Sequence, residues 1–340
     1  MTEKQFLSNQ RIIDCLNTDY GIEVAALTFI PLGADVNASV YKAQAHDNST
    51  YFVKIKHSHH CDIGVMVQQM LHDSGIPQII APIKTKYGKS THYIDDFTFI
   101  VYPFIQGLDG FNCALTNEQW VMLGKALRQI HEFQLPPFIK DKIRHETYSS
   151  KWCEAVRSIY TYIDTNPQVT DEIALNLLTL MQEHRETIQR LVDRAEQLGQ
   201  QIQKKSLKFV LCHSDIHAGN VLIANDSSLY IVDWDQPIMA PKERDLMFIG
   251  GGVGNVWNDL HEEEFFYEGY GKTEINKDIL AYYRYERIVE DIAEYNQQLL
   301  LTTDDTKNRA EMYKQFVDMF MSQGVIDITF KTDTHVMLKN

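Results

Sequence analysis

Residues 213–220, which read HSDIHAGN, constrain this chain more than any other segment. They form a polar loop between two apolar runs, 209–212 and 221–224, so the pattern predicts a strand, a loop and a second strand. Within the loop, Asp215 and Asn220 follow the spacing H-x-D-x-x-x-x-N. Phosphoryl transfer needs a carboxylate that orients a hydroxyl and oxygen ligands for magnesium. Asp215 is therefore the candidate catalytic residue and Asn220 a candidate metal ligand.

A second carboxylate follows the strand predicted at residues 229–232. Asp233 lies thirteen positions after Asn220, and residues 225–228 supply a turn that allows one short hairpin between them. The hairpin would return Asp233 to Asn220, where both side chains would hold magnesium. A strand-end aspartate that caps a turn is the structural alternative, and it explains Asp235 equally well.

Lys54 lies inside an apolar strand, YFVKIK at residues 51–56. A lysine there is costly unless it reaches solvent or has an anionic partner, and nucleotide phosphates are such a partner. Lys56 lies on the same face of the strand, so either lysine could bind the phosphates. Lys54 is favoured because it lies at the centre of the strand. The preceding turn at residues 31–39 contains Gly33 and would cover phosphates with backbone N–H groups.

The organisation of the chain changes after its first third, where β-like runs give way to helical patterns. The predicted strands in that third lie at residues 27–31, 39–45, 50–56 and 97–103. The predicted helices lie at residues 63–72, 116–133, 151–165, 171–204, 262–268 and 277–301. Thr116 and Gln119 are spaced as a capping box. We expect a small β-rich nucleotide-binding lobe, residues 1–103, and a larger mainly helical catalytic lobe, residues 104–340, with the ligand site in the cleft between them.

Bulk composition narrows the class of partner. The chain has 340 residues, a net charge of −14 and no basic block, which argues against a nucleic-acid partner. No run approaches the roughly 20 apolar residues that span a bilayer, and residues 1–10 lack the apolar stretch of a signal peptide. The five scattered cysteines include no Cys-x-x-Cys pair. We therefore expect a cytoplasmic protein with reduced thiols, a monomer without a membrane partner.

An acidic stripe marks the last long helix. Glu286, Glu290 and Glu294 fall at i, i+4 and i+8, where like charges repel unless a cation or solvent relieves them. One interpretation is a wall that binds an amine-bearing sugar or aminocyclitol, to which Tyr282, Tyr283 and Asp291 would add stacking and charge. The alternative is a solvated helix face.

Three motifs together resemble the aminoglycoside phosphotransferase family, whose fold is protein-kinase-like. They are HSDIHAGNVL at 213–222, IVDWD at 231–235 and PKERDL at 241–246. The resemblance extends over nearly the whole chain and includes residues 71–76, 102–105, 240–257 and 286–292. It implies an α+β, two-lobed fold and an enzyme that uses ATP and Mg²⁺. The implied acceptor is a hydroxyl of a cationic aminocyclitol or aminoglycoside antibiotic, and spectinomycin is the leading candidate. Phosphorylation of the antibiotic would confer resistance to it.

The resemblance also implies roles for single residues. Asp215 would be the catalytic aspartate, Asn220 and Asp233 the magnesium ligands, and Lys54 the phosphate-binding lysine. The candidate substrate contacts are Tyr282, Glu286, Glu290, Asp291 and Trp257.

The adenine of the nucleotide would lie against the backbone of Tyr102, Pro103, Phe104 and Ile105. Pro103 has no N–H, so the donor must come from a neighbour. One departure concerns the helix glutamate that pairs with the lysine in the family. Asp62, shorter by one methylene, is the nearest acidic residue at that place.

Further residues near the motifs are given structural roles. Arg244 and Asp245 are expected to form a pair that steadies the catalytic loop, and His217 to donate or accept a structural hydrogen bond.

Two other functions stay open. One is a metabolite kinase with the same core, of the choline, homoserine, methylthioribose or fructosamine type. The other is a pseudokinase that binds nucleotide without turnover. The presence of Lys54, Asp215, Asn220 and Asp233 argues against it.

Overall fold

The computed structural model describes residues 7–31, 38–57, 63–251, 253–302 and 308–333. The chain forms two compact units that interleave along the sequence. The first comprises residues 1–113, 133–143 and 220–237, and the second comprises residues 114–132, 144–219 and 238–340. The predicted division after residue 103 stays a prediction.

A five-stranded antiparallel sheet dominates the first unit, with strand order β1-β2-β3-β5-β4. Its strands are β1 (Val24–Ile30), β2 (Ala38–Ala45), β3 (Thr50–His57), β4 (His92–Ile94) and β5 (Phe97–Pro103). Alternation along β3 sends Val53 and Ile55 into a core shared with Ile12 of helix α1 (Asn9–Cys15). Lys54 and Lys56 therefore project from the opposite face of the sheet.

Smaller elements complete the first unit. A π-helical turn (Leu16–Tyr20) follows α1, and helices α2 (Ile63–Asp73) and α4 (Pro137–Lys140) also belong here. A second antiparallel sheet has the order β10-β9-β6, with β6 (Gly107–Asp109), β9 (Val221–Ala224) and β10 (Leu229–Ile231). The β9–β10 hairpin is the one that the sequence predicts.

Helices dominate the second unit. They are α3 (Asn117–Glu132), α5 (Lys151–Ile163), α6 (Glu172–Glu183), α7 (Arg185–Ile202), α8 (Glu243–Leu246), α9 (Leu260–Tyr270), α10 (Lys277–Leu299), α11 (Arg309–Asp318) and α12 (Val325–Thr332). The long α10 packs against α5, α7, α8, α11 and α12, so its buried residues form the centre of this unit. A small sheet, β7-β11-β8, is built from β7 (Arg144–His145), β8 (Val210–Cys212) and β11 (Ile238–Ala240). No helix within the described ranges is both long and apolar enough to cross a membrane.

Of two local predictions for the helices, one was confirmed and one was wrong. The capping box at the start of α3 is present, since Thr116 N–H donates to Gln119 Oε1 at 2.9 Å and Gln119 N–H donates to Thr116 Oγ1 at 3.2 Å. The single helix predicted at residues 171–204 was wrong. The backbone leaves the helical region at His184, which ends α6 and precedes α7.

The three strands predicted around the catalytic loop do not form one sheet. The first of them, β8, pairs with β11 in the second unit, whereas β9 and β10 pair with each other in the first unit. No strand was predicted at β11, whose three residues give no periodic signal of their own, whereas the equally short β8 and β10 were predicted from the apolar runs beside the catalytic motifs.

Candidate active site

Two lysines and two aspartates form a charged cluster in the first unit. Lys54 Nζ lies 3.0 Å from Asp233 Oδ1 and 2.7 Å from Asp235 Oδ2, and Lys56 Nζ lies 2.7 Å from Asp235 Oδ1. Burial lowers the pKa of Lys54, but the two carboxylates outweigh this effect and hold the pKa above its usual value. Lys54 is therefore charged at neutral pH and has carboxylate partners rather than open solvent.

The β9–β10 hairpin brings the chain at Asp233 back to Asn220. Ile231 is paired with Val221, and the N–H of Val232 donates to the carbonyl of Asn220 at 2.9 Å. Asp233 itself has a φ of 63°, in the left-handed region that aspartate tolerates better than most residues. The amide oxygen of Asn220 and the carboxylate of Asp233 are hard ligands of the type that magnesium prefers. Their role as metal ligands stays a prediction.

Asp215 lies in the loop after β8, in the second unit, and is held by two basic side chains. Arg287 Nη1 lies 2.7 Å from Asp215 Oδ1, and His217 Nε2 lies 3.5 Å from Asp215 Oδ2. Burial alone would raise the pKa of Asp215, but its interactions with His217 and Arg287 hold that pKa well below its usual range. The side chain still keeps 43% of its surface exposed, so a reactant has access to this charged carboxylate.

His217 has the structural hydrogen bond that the sequence analysis assigned to it. The N–H of Gly219 donates to His217 Nδ1 at 3.0 Å, which closes the loop on itself and directs Nε2 toward Asp215.

A fully buried carboxylate, Asp245, fixes the start of this loop. The N–H of His213 donates to Asp245 Oδ2 at 2.9 Å and the N–H of Ser214 donates to Oδ1 at 2.7 Å. His131 Nε2 lies 3.0 Å from the same Oδ2. The predicted pairing of Arg244 with Asp245 was wrong, because Arg244 Nη1 donates to Glu286 Oε2 at 2.8 Å instead. Asp245 holds the loop through backbone N–H groups, which no sequence pattern reveals.

We expect Asp245→Asn to lower the free energy of unfolding by about 1–3 kcal/mol, because the amide NH₂ would face a buried N–H that has lost its acceptor. Urea unfolding of the purified variant measures this change. Asp141→Asn, at an exposed position, is the matched control. Equal stability of the two variants would show that Asp245 does not hold the loop.

Two arginines pair with carboxylates of α10, and one of these carboxylates, Glu286, belongs to the acidic stripe. Glu286 pairs with Arg244 and accepts a hydrogen bond from the hydroxyl of Tyr282 at 3.3 Å. Arg287 Nε lies 2.9 Å from Asp291 Oδ1. Arg287 was not among the predicted site residues, although its i, i+4 spacing to Asp291 favours an ion pair on a helix.

The remaining members of the stripe differ in environment. Glu294 is exposed. Glu290 is partly buried, and it has no ion-pair partner within the described part of the chain. Burial raises the pKa of Asp291 to about 6, and Arg287 opposes that rise. Negative charge that is not fully neutralised therefore remains around Arg287.

A cavity of about 330 Å³ lies in the second unit among α5, α7 and α10. Two of the candidate substrate contacts, Tyr282 and Glu286, line it, together with Tyr148, Trp152 and Glu196. Its volume is at the lower end of the range for small-molecule sites.

Trp257 has a different environment. Its side chain is buried in the second unit and packs edge-to-face on Trp120, with 5.1 Å between the ring centroids. Its contact with a substrate stays a prediction.

The predicted adenine-binding stretch lies at the end of β5. The N–H of Phe104 donates to the carbonyl of Thr50 at 3.0 Å, so that donor is already used in the first unit. The hydroxyl of Tyr102 donates to Gln68 Oε1 at 2.8 Å. Pro103 ends the strand and Ile105 follows it. The other two candidates for nucleotide binding, Gly33 and Asp62, lie outside the described residues.

Comparison with known proteins identifies the family. Residues 28–271 match the model of the phosphotransferase enzyme family, APH, which is more than half of the chain. The protein StrN of Streptomyces griseus is 21% identical over 251 residues, which cover 72% of this chain and 76% of that protein.

Two solved structures of spectinomycin phosphotransferase, APH(9)-Ia, are much more similar. The complex with ADP and spectinomycin has a TM-score of 0.91 at 48% identity and covers 96% of this chain and 99% of that one. The AMP-bound complex has a TM-score of 0.86 at 45% identity, and the match covers 97% of this chain and 100% of that one. The predicted α+β, protein-kinase-like fold is confirmed by this similarity. The chain is thus a kinase that belongs to the phosphotransferase enzyme family, APH.

Proposed function

We propose that this kinase transfers the γ-phosphoryl group of ATP, with Mg²⁺, to a hydroxyl of spectinomycin or a closely similar aminocyclitol. One observation carries the proposal: a spectinomycin phosphotransferase that binds ADP and spectinomycin is 48% identical over nearly the whole chain. The candidate residues for the chemistry are present in the described structure, and their environments suit it.

The residues of the first unit fit a magnesium nucleotide. Asn220 and Asp233 offer the oxygen ligands, and Lys54 is a charged, largely buried donor for phosphate oxygens. Bound Mg²⁺ would neutralise the charge that develops on the phosphates. The nucleotides in the two similar structures, ADP and AMP, support this assignment.

Asp215 would orient the acceptor hydroxyl and receive its proton. The acceptor oxygen forms a bond to the γ-phosphorus, the bond from that phosphorus to the bridging oxygen of ADP breaks, and ADP leaves with the bond electrons. Because the pKa of Asp215 is held low, the carboxylate is a weak base, and it would take the proton late, after the new bond has largely formed. Its main contribution is then the position of the hydroxyl.

The charges around Asp215 favour a cationic acceptor. Glu290 and Asp291 lie on α10 beside Arg287, which itself contacts Asp215. Arg287 neutralises these two carboxylates only in part. The ammonium groups of an aminocyclitol would supply the positive charge that is still needed. Neutral sugars would not benefit from this arrangement.

An ATP-consumption assay over a panel of acceptors tests the proposal. The panel contains spectinomycin, a kanamycin-type aminoglycoside, choline, homoserine, methylthioribose and a fructosamine, and NMR locates the phosphate on any product. We expect turnover with spectinomycin. Turnover with choline or another metabolite alone would assign a different acceptor, and nucleotide binding without consumption would indicate a pseudokinase. Expression in a spectinomycin-sensitive bacterium then tests the resistance role.

We expect Arg287→Gln to move the acid limb of the kcat/KM profile to higher pH. Arg287 lowers the pKa of Asp215, so its removal raises that pKa, and the carboxylate is then lost at a higher pH as the solution is acidified. Arg287→Lys keeps the charge and should shift the limb less. An unchanged acid limb in Arg287→Gln would show that the ion pair does not set the ionisation of Asp215.

A further inference from the structure

The carboxylate of Asp235 bridges the two lysines of β3. Each of its oxygens has one ammonium partner at 2.7 Å, Lys54 on Oδ2 and Lys56 on Oδ1. Both lysine side chains are largely buried, with 14% and 15% of their surface exposed. The sequence pattern offered the two lysines as alternatives and a turn role for Asp235, whereas in the structure all three side chains are in contact.

The sheet fixes the geometry of this bridge. Lys54 lies opposite Val40 and Ile100, and Lys56 lies opposite Ala38 and Thr98, so both belong to a central strand with neighbours on each side. Two residues on one strand face are separated by about 6.6 Å along the strand. A single carboxylate can therefore reach both ammonium groups, and the backbone positions from which the two side chains start are fixed by the ladder of β3.

Charge balance explains why such a pair is stable without a ligand. Two ammonium groups on one face would repel each other and would be costly to bury. Asp235 and Asp233 supply two negative charges to the same cluster, so the four groups sum to zero. A polyphosphate, which carries several negative charges on adjacent groups, is the ligand class that matches two fixed cations of this kind.

We propose that Lys56 is a second phosphate-binding residue beside Lys54, and that Asp235 is the positioning residue that holds both ammonium groups. The inference rests on the proposed function only in requiring that the protein binds a nucleotide. It gives Asp235 a role different from that of Asp233, which is the candidate metal ligand.

Binding of ADP and adenosine, measured by calorimetry without magnesium, tests the role of Lys56. Lys56→Met should weaken ADP binding by about 10- to 100-fold, the range of one charge-assisted hydrogen bond, and leave adenosine binding unchanged. Lys56→Arg keeps the charge and should retain most of the ADP affinity. Lys89→Met, at an exposed position in the same unit, is the control. Unchanged ADP affinity in Lys56→Met, or equal losses for ADP and adenosine, would overturn the proposal.

The role of Asp235 is tested by separating nucleotide affinity from magnesium dependence. Asp235→Asn should raise the KM for ATP several-fold at saturating magnesium and leave the magnesium concentration for half-maximal rate unchanged. Asp235→Glu, which keeps the carboxylate, should recover part of the ATP affinity. A shift in the magnesium requirement without a change in the KM for ATP would make Asp235 a metal ligand and contradict its positioning role.

Failure of this inference and failure of the proposed function give different results. If the wild-type protein phosphorylates spectinomycin and Lys56→Met binds ADP normally, only the inference fails. If the wild type binds ADP but phosphorylates no aminocyclitol, the acceptor assignment fails, and the binding data still decide the role of Lys56.

Discussion

Asp215→Ala should lower kcat by roughly 10²–10⁴-fold, the usual contribution of a general base, with little change in the KM for ATP. The reason is local to the second unit, where the Asp215 carboxylate is charged, accessible and held by Arg287 and His217. The nucleotide candidates Lys54, Asn220 and Asp233 belong to the first unit, so we expect them to keep their contacts in this variant. Steady-state kinetics, in which spectinomycin or ATP is varied while the other substrate is saturating, measures kcat and the KM for ATP separately.

Two companion variants sharpen this measurement. Asp215→Asn keeps the side-chain volume and removes the proton acceptor, so it should lose nearly as much activity as Asp215→Ala. Asp141→Ala, at an exposed position, should retain wild-type turnover. If Asp215→Ala also retains wild-type turnover, Asp215 has no part in the chemistry.

Four strands of the five-stranded sheet could be predicted from the sequence, because each of these long strands has a local signal. In β3, the alternation of Val53 and Ile55 with Lys54 and Lys56 predicts one apolar and one charged face, and the structure has both. The strand β4 has only three residues and, like β11, was not predicted, because so short a segment shows no periodicity and no recognised motif lies beside it. Pairing between strands that are distant in the sequence was also beyond local reasoning, because β8 and β11, both in the second unit, are separated by the complete β9–β10 hairpin.

The candidate site shows the same division between local and long-range information. Asp215, Asn220 and Asp233 were found from spacing along one segment. Asp245 was expected to steady the loop as a partner of Arg244, whereas it acts on backbone N–H groups 31 and 32 residues earlier. Arg287 was given no role, because it contacts a carboxylate 72 residues earlier. Such contacts depend on the packing of α8 and α10, which no pattern in the sequence specifies.

Asp233→Asn should raise the magnesium concentration for half-maximal rate by about 10- to 100-fold and lower kcat at saturating ATP. Losses of that size follow even when only the partners of metal ligands are removed. Asparagine is the right replacement, because Asp233 has a φ of 63° and alanine there would add backbone strain to the loss of the ligand. Asn220→Ala should shift the magnesium requirement in the same direction. Magnesium titrations of the initial rate at fixed saturating ATP measure both variants.

The β9–β10 hairpin also provides the control for these titrations. Asp226 lies in its exposed turn and accepts a hydrogen bond from the N–H of Ser228 at 3.0 Å, which asparagine can also accept. Asp226→Asn removes the same charge from the same hairpin without touching Asn220, so its magnesium requirement should equal that of the wild type. Wild-type titrations for Asp233→Asn and Asn220→Ala would contradict the metal assignment. If the magnesium concentration for half-maximal rate rises as much in Asp226→Asn as in Asp233→Asn, the cause is instead the net charge of the hairpin.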